Sequence, residues 1–221
     1  MNRKLTTGLA LAAAGLGAVP IAASGQPNKP NKPDKQARAL TLSAAPNPTV
    51  FGSASALSGR LTGNNRAGQT VGLEADPYPL DRYSAAGSAT TAPNGNFSFQ
   101  VRPRLNTRYR VRQGNTLSPP VTVLVRIRVS MRPDDFTPRA GRRVLFSGRA
   151  CPEHDGARVA IQRLTRLGWR TVKRTVLERA TRCSTYGTRV RMRRDATLRT
   201  VVAGDSDHAR GISRRRRVDV H

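Results

Sequence analysis

The sequence predicts an all-β protein with two tandem antiparallel β-sandwiches. Apolar residues alternate with polar ones in short runs, and Gly, Asn, Asp and Pro separate these runs, which is the pattern of half-buried strands. The sequence also repeats itself at a period of about 90 residues, which indicates two homologous units. After residue 25 no stretch keeps the 3.6-residue period of an amphipathic helix.

The N-terminus has the order of a secretory signal peptide. Arg3 and Lys4 precede an uncharged run over 8–23, and small residues follow it. This run is shorter than the roughly 20 residues of a membrane-spanning helix and contains Pro20. We therefore expect a signal peptide at 1–24 that is cleaved on export. The protein is then secreted and extracellular, without a transmembrane or lipid anchor, and any association with the cell wall depends on charge.

Two features after the signal peptide predict the domain organisation. Residues 25–38 repeat Asn-Lys-Pro and contain no large apolar side chain, which predicts a disordered Pro/Lys linker. The tripeptide Ser-Gly-Arg at 58–60 then recurs at 147–149, and SPPVTVLV at 118–125 recurs as SRRRRVDV at 213–220. The predicted sandwiches span 39–125 and 126–221.

Each unit has room for seven short strands, which suits a β-sandwich with aligned sheets. The dipeptide Asn94-Gly95 before Phe97 predicts a hairpin turn. In the first unit the residues predicted to point inward are Leu40, Leu42, Leu57, Leu61, Val71, Leu73, Phe97, Phe99, Val101, Tyr109, Val111, Val121, Val123 and Val125. In the second unit they are Ile127, Val129, Met131, Val144, Phe146, Val159, Ile161, Val172, Val176, Val190, Met192, Leu198, Val202, Val218 and Val220.

Several segments of the two units have a recognisable pattern, among them GQTVGLEADPYP, NGNFSFQVRP, GARVAIQRLTRLGWRTVKRT and TLRTVVAGDSDHARG. These segments resemble the tandem bacterial Ig-like repeats of exported actinobacterial proteins. The resemblance extends over nearly all of residues 39–221 and implies that both sandwiches are immunoglobulin-like. It implies no particular function, because such sandwiches serve as spacers, adhesins and accessory modules alike.

The two cysteines of the chain are expected to form a disulfide. If consecutive strands are antiparallel, the loops alternate between the two ends of a sandwich, and those at 151–156, 178–187 and 204–211 share one end. Cys151 and Cys183 then meet there, and export places them in an oxidising compartment. The alternative is a pair of free thiols.

The same end of the second unit collects a candidate metal site. Its predicted ligands are His154, Asp155, Asp207 and His208, and Glu153 and Asp205 lie near them in the sequence. The alternative is a set of ordinary turn residues, because no HxxxH, HExxH or DxDxDG spacing is present.

Catalytic chemistry has little support in the sequence. A Cys-His nucleophile would need one of the two cysteines as a free thiolate. No GxSxG elbow, Walker loop or dinucleotide fingerprint occurs. The sequence therefore predicts no enzyme and no cofactor.

A basic surface of the second unit is a further candidate site, since this unit holds +16 of the net charge of +26. The candidate anion-binding residues are Arg189, Arg191, Arg193, Arg194, Arg214, Arg215, Arg216 and Arg217. Anionic cell-wall polymer, a glycan or another envelope protein would suit this surface, whereas export and the lack of interleaved aromatic residues disfavour nucleic acid. The alternative is a solvated sheet exterior.

The break in alternation at 214–217 also predicts an edge segment or bulge before Val218.

Trp169 is a candidate for stacking on a sugar ring, with packing as the alternative.

From these features we expect a non-catalytic secreted Ig-like module with a structural or binding role at the cell envelope. Two alternatives stay open. One is a metal-dependent or catalytic protein that uses the His and Asp loops of the second unit, and the other is a passive spacer.

Overall fold

A computed structural model describes residues 37–221 of the chain. The predicted signal peptide at 1–24 and all but the last two residues of the predicted linker at 25–38 lie outside the described residues. Within 37–221 all the regular secondary structure consists of β-strands. This part of the chain has no helix that is long and apolar enough to cross a membrane.

The strands are short and follow one another closely along the chain. Those of the first half are β1 (Ser43–Ala45), β2 (Thr49–Val50), β3 (Ser55–Arg60), β4 (Thr70–Pro77), β5 (Ser84–Thr90), β6 (Asn96–Val101), β7 (Thr107–Gln113), β8 (Thr116–Leu117) and β9 (Val121–Val123). Those of the second half are β10 (Val125–Arg126), β11 (Arg128–Val129), β12 (Arg132–Pro133), β13 (Arg143–Cys151), β14 (Arg158–Thr165), β15 (Gly168–Val176), β16 (Ser184–Arg191), β17 (Ala196–Val202), β18 (Gly211–Ile212) and β19 (Arg216–Val218).

The first sandwich consists of two antiparallel sheets. One has the order β1-β3-β6, and the other places β5, β4 and β7 side by side, with β8 and β9 both paired to β7. The buried apolar side chains between the sheets are Leu40, Leu57, Leu61, Val71, Leu73, Phe97, Tyr109, Val111 and Val123. The period-2 pattern predicted all of them to point inward, and this prediction is confirmed.

The second sandwich repeats this immunoglobulin-like arrangement. In one sheet β13 pairs with β11, β12 and β16, and in the other β14 pairs with β15 and β17, which in turn pairs with β18 and β19. Its buried core consists of Ile127, Met131, Val144, Phe146, Ala150, Val159, Ile161, Leu177, Tyr186, Met192, Ala196, Leu198, Val202 and Val218.

The segment that joins the two sandwiches is a strand that is hydrogen-bonded on both edges. The carbonyl groups of Leu124 and Arg126 accept the N–H groups of Thr49 and Phe51, each at 2.9 Å, and β10 pairs in parallel with β2. The opposite edge exchanges two hydrogen bonds with Ala209, at 2.8 and 3.0 Å. The predicted domain boundary between residues 125 and 126 falls within β10, and the division of the chain there stays a prediction.

The repeated Ser-Gly-Arg tripeptide marks a close approach between two strand segments in each sandwich. A Cβ atom on Gly59 would lie 2.1 Å from the carbonyl oxygen of Thr41, and one on Gly148 would lie 2.1 Å from that of Ser130. In both places the next arginine donates its backbone N–H to the hydroxyl of that Thr or Ser, at 3.0 and 2.9 Å. Only glycine fits there, which explains why the tripeptide recurs.

The second repeated segment interrupts the last strand of each sandwich. The Ser118 hydroxyl accepts the N–H of Val111 at 2.9 Å, and the Ser213 hydroxyl accepts the N–H of Thr200 at 2.9 Å. At each break in the last strand, between β8 and β9 and between β18 and β19, the serine hydroxyl thereby takes the place of a backbone carbonyl in the hydrogen bonding of the sheet. The irregularity predicted before Val218 is confirmed.

The predicted inward pattern is wrong on β15. Val172 and Val176 are 36% and 49% exposed. Two features of this strand explain the difference. It lies at the edge of its sheet and pairs only with β14 among the described strands. The register pairs Val176 with the exposed Arg158, so that Thr175 rather than Val176 lies opposite the buried Val159, and it shifts at Val172 between Ile161 and Gln162.

Tyr186 on β16 links the two sheets of the second sandwich through its hydroxyl group. The hydroxyl donates to the carbonyl of Ser130 at 2.8 Å and lies 2.7 Å from the Thr200 hydroxyl on β17. Burial raises the pKa of Tyr186 to about 12. The phenol therefore stays protonated and keeps both hydrogen bonds at neutral pH.

We predict that Tyr186→Phe lowers the free energy of unfolding by about 1–3 kcal/mol, because it leaves the carbonyl of Ser130 and the buried hydroxyl of Thr200 without their partner. Chemical denaturation of the protein measures this. Tyr83→Phe is the matched control, since the Tyr83 hydroxyl has no hydrogen bond within residues 37–221, and it should leave the unfolding midpoint unchanged. Equal effects of the two variants would contradict the prediction.

Candidate functional site

A disulfide closes the end of the second sandwich where its three loops were predicted to meet. β13 ends at Cys151, Cys183 immediately precedes β16, and the register places Ala150 opposite Ser184. The two sulfur atoms are bonded, which confirms the predicted pairing. Both cysteines of the chain are used in this bridge, so neither thiol serves as a nucleophile for His154 or His208.

Beside this disulfide, a cluster of two histidines and two aspartates brings its ligand atoms within 4.8 Å of one another. The four residues are His154, Asp205, Asp207 and His208. They include three of the four metal ligands predicted from the sequence. The fourth, Asp155, lies outside the cluster because its carboxylate accepts the hydroxyl of Ser184 at 2.5 Å. Asp205 takes its place.

A tight turn in the loop between β17 and β18 brings three members of the cluster together. Asp205 accepts the backbone N–H of His208 on its carboxylate at 2.9 Å and donates its own N–H to the carbonyl of His208 at 3.0 Å. Gly204 permits this turn, because a Cβ atom there would lie 2.5 Å from the backbone nitrogen of Arg210. Asp205 and His208 are thereby held on one side of a single turn.

The two imidazole rings have the same pattern of partners. His154 faces the carbonyl of Pro152 with Nδ1 at 3.0 Å and the carboxylate of Asp205 with Nε2 at 3.3 Å. His208 faces the carbonyl of Arg104 with Nε2 at 2.8 Å and the carboxylate of Asp207 with Nδ1 at 3.0 Å. Each ring therefore has a backbone carbonyl on its outer side and a carboxylate on its inner side. The ring centroids are 4.8 Å apart, edge to face.

The two carboxylates of the cluster differ in their electrostatic environment. Burial raises the pKa of Asp205, and the neighbouring Asp207 raises it further. The pKa of Asp207 is lowered, mainly by its hydrogen bond with Asp205 and then by that with His208. Asp207 is thus the more firmly ionised of the pair, and Asp205 is the one that takes up a shared proton first as the pH falls.

The cluster lies against the first sandwich. The backbone N–H of Asn106 donates to the carbonyl of Asp207 at 2.8 Å, and its side-chain amide donates to the carbonyl of Ser206 at 3.1 Å. The ring of Phe51 lies 6.0 Å from that of His208. The loop that carries Asp205, Asp207 and His208 is therefore fixed by residues from both halves of the described chain.

A second candidate site is a cleft of about 390 Å³ between β15 and β16 in the second sandwich. We call this cavity the basic cleft. Its basic lining residues are Arg143, Arg163, Lys173, Arg189, Arg191, Arg193 and Arg194. Four of these were predicted from the sequence. Arg143, Arg163 and Lys173 were missed, because they lie on other strands and meet the predicted arginines only when the sheets pack.

The other four predicted arginines do not line the basic cleft. Arg217 donates to Asp219 at 2.6 Å, and this hydrogen bond raises the pKa of Arg217. Arg216 donates to the carbonyl of Met131 at 3.2 Å. Arg214 and Arg215 likewise lie outside the lining of the cleft. The segment 214–217 therefore lies outside the cleft that Arg189, Arg191, Arg193 and Arg194 line, and its anion-binding role stays a prediction.

Trp169 on β15 already has cationic neighbours. The guanidinium carbon of Arg199 lies 4.1 Å from the centroid of the indole, and that of Arg215 lies 5.4 Å from it. These are cation–π distances, so the ring packs against arginine side chains of its own chain. A sugar ring would have to displace Arg199 to stack on the face that it covers.

No protein-family model matches the chain, and no curated protein matches it. One similar solved structure is a tetra-tandem repeat in the extending region of a large adhesion protein, with 14% identity, 83% of this chain and 50% of that chain covered, and a TM-score of 0.34. Another is the D0-D1 domain of intimin, with 9% identity, 81% and 97% covered, and a TM-score of 0.31. The chain spans half the length of the first of these structures.

We predict that replacing both Cys151 and Cys183 by Ser lowers the free energy of unfolding by about 3–4 kcal/mol, because the bridge closes a loop of 32 residues and restricts the unfolded chain. Denaturant unfolding of the oxidised protein and the double variant measures the difference. A reductant should lower the unfolding midpoint of the parent protein and leave that of the variant unchanged. Equal midpoints for the parent and the variant without reductant would show that the bridge does not stabilise the fold.

Proposed function

We propose that this protein is a non-catalytic exported module that binds an anionic cell-wall polymer through the basic cleft. The observation that carries the proposal is the lining of that cleft, which among the described residues contains seven basic side chains and no acidic one. The predicted signal peptide and the disulfide, which suits an oxidising compartment, support an extracellular location.

The charges of the basic cleft are not neutralised by the part of the protein that the structure describes. None of its seven basic side chains forms an ion pair with an acidic residue of the described range 37–221. The register of β13 and β16 also places Arg143 directly opposite Arg191, and like charges at such a position destabilise a sheet. An anionic ligand would relieve this repulsion, and the resulting field attracts polyanions from solution.

The chemistry of the basic cleft favours a flexible polymer of phosphate or carboxylate groups. Arginine binds both groups through paired hydrogen bonds. The apolar lining residues Val172, Met192 and Leu198 can contact the uncharged backbone between such groups. Within 37–221 no aromatic side chain lines the cleft, so these residues offer no platform on which nucleic acid bases would stack.

A glycan-binding or spacer role has less support. The indole of Trp169 is in contact with Arg199, so sugar stacking there requires that arginine to move. A passive spacer does not explain why basic residues from four strands and the segment after β16 converge on one cleft.

Replacing Arg143, Arg189, Arg193 and Arg194 together by Gln should weaken binding to immobilised poly(glycerol phosphate) by about tenfold at physiological salt, since four charge contacts are lost. The measurement is retention of the exported protein as a function of NaCl concentration, with polygalacturonate as the carboxylate analogue. The parent protein should elute at the higher salt concentration, because screening weakens exposed charge interactions.

The matched control removes four exposed arginines elsewhere and therefore lowers the net charge by the same amount. It replaces Arg82, Arg102, Arg166 and Arg179 by Gln. Its retention should fall much less than that of the cleft variant. Equal losses would show that net charge rather than the basic cleft governs binding, and no retention of the parent protein even at low salt would contradict the proposed function.

A further inference from the structure

The cluster of His154, Asp205, Asp207 and His208 has the donor atoms of a closed metal site. The inner nitrogen of His154 lies 3.3 Å from a carboxylate oxygen of Asp205 and 3.9 Å from one of Asp207. The inner nitrogen of His208 lies 3.0 Å from Asp207. Ligand atoms about 2.0–2.1 Å from a tetrahedral Zn²⁺ are roughly 3.3–3.4 Å apart, so small side-chain movements would complete the geometry.

The backbone carbonyl groups around the cluster fix the orientation of the two imidazole rings. The carbonyl groups of Pro152 and Arg104 can only accept, so they favour an N–H on the outer nitrogen of His154 and of His208. With the outer nitrogens bound in this way, the inner nitrogens of both rings point at the carboxylates, at 3.3 Å for His154 and 3.0 Å for His208, and are placed to ligate the same metal ion. Outer hydrogen bonds of this kind also orient metal-ligating histidines in known sites.

Charge and burial both suit a divalent transition metal. Two carboxylates balance the two positive charges of the ion, and imidazole with carboxylate is a ligand set that Zn²⁺ accepts. The His154 and His208 side chains are 6% and 2% exposed, whereas Asp205 and Asp207 are exposed to 48% and 34%. The carboxylates therefore leave a path by which an ion can enter from solvent.

We propose that His154 Nε2, His208 Nδ1, Asp205 and Asp207 bind one Zn²⁺ ion that stabilises the junction between the two sandwiches. All four positions of a tetrahedral ion are occupied by protein ligands, which is the arrangement of structural rather than catalytic zinc. The ion joins the loop after β13 to the loop after β17. Because the outer nitrogen of His208 is bound to the carbonyl of Arg104, it also fixes this junction against the first sandwich.

The test uses the exported protein after treatment with a chelator, titrated with ZnCl₂ at pH 7.5 by calorimetry. We expect one Zn²⁺ per chain and a rise in the melting temperature with zinc concentration, because an ion that binds only the folded state stabilises it. His154→Ala and Asp205→Asn should each weaken zinc binding at least about 100-fold, since each removes a ligand. Asp205 is largely exposed, so its amide variant tests the site even if the histidine variant folds poorly.

Two matched controls separate the cluster from general metal affinity. His221→Ala removes the third histidine of the chain, which lies outside the cluster, and Asp81→Asn removes an exposed aspartate. Both should bind zinc as the parent protein does. The proposal would be overturned if the controls lost zinc binding as the cluster variants do, or if the parent protein bound no zinc. The cleft variant should bind zinc normally, so the test is independent of polymer binding.

Discussion

Asn106 holds the junction between the sandwiches together. Asn106 is 7% exposed, and each of its four polar groups is hydrogen-bonded to a different residue. The backbone groups pair with Asp207 and Tyr78, at 2.8 and 2.9 Å, and the side-chain groups pair with Val125 and Ser206, at 2.8 and 3.1 Å. Displacing any of these segments would leave a buried amide group unpaired, which costs about 1–3 kcal/mol. The joining strand, the turn of the His/Asp cluster and the end of the first sandwich are therefore fixed together.

The sequence predicts the fold well because period-2 alternation depends on local geometry. The cores follow this pattern closely, and the recurrence of Ser-Gly-Arg reflects a steric limit, since any side chain at Gly59 or Gly148 would collide with a neighbouring carbonyl. The pattern fails where pairing is one-sided. Val172 and Val176 lie on an edge strand with a register shift, and no feature of the sequence shows that this strand is at the edge.

The sites are less predictable because they depend on how loops and sheets meet. Parity of the loops correctly placed the cysteines and both histidines at one end, but it could not show that Ser184 binds Asp155 and thereby removes it from the cluster. In the same way, the run of arginines at 189–194 is visible in the sequence, whereas Arg163 joins it only through the packing of the second sheet. Residues contributed by one segment are predictable, and those contributed across segments are not.

The edge strand β15 has a consequence for the behaviour of the protein at high concentration. An edge strand offers unpaired backbone groups to which a strand of another molecule can add, and this is a common route to aggregation. Arg170, Lys173 and Arg174 all lie exposed on β15. Two copies that approached each other edge to edge would bring these positive charges together. Some of the arginine-rich character of the chain thus protects its solubility, whatever ligand the rest of the charge serves.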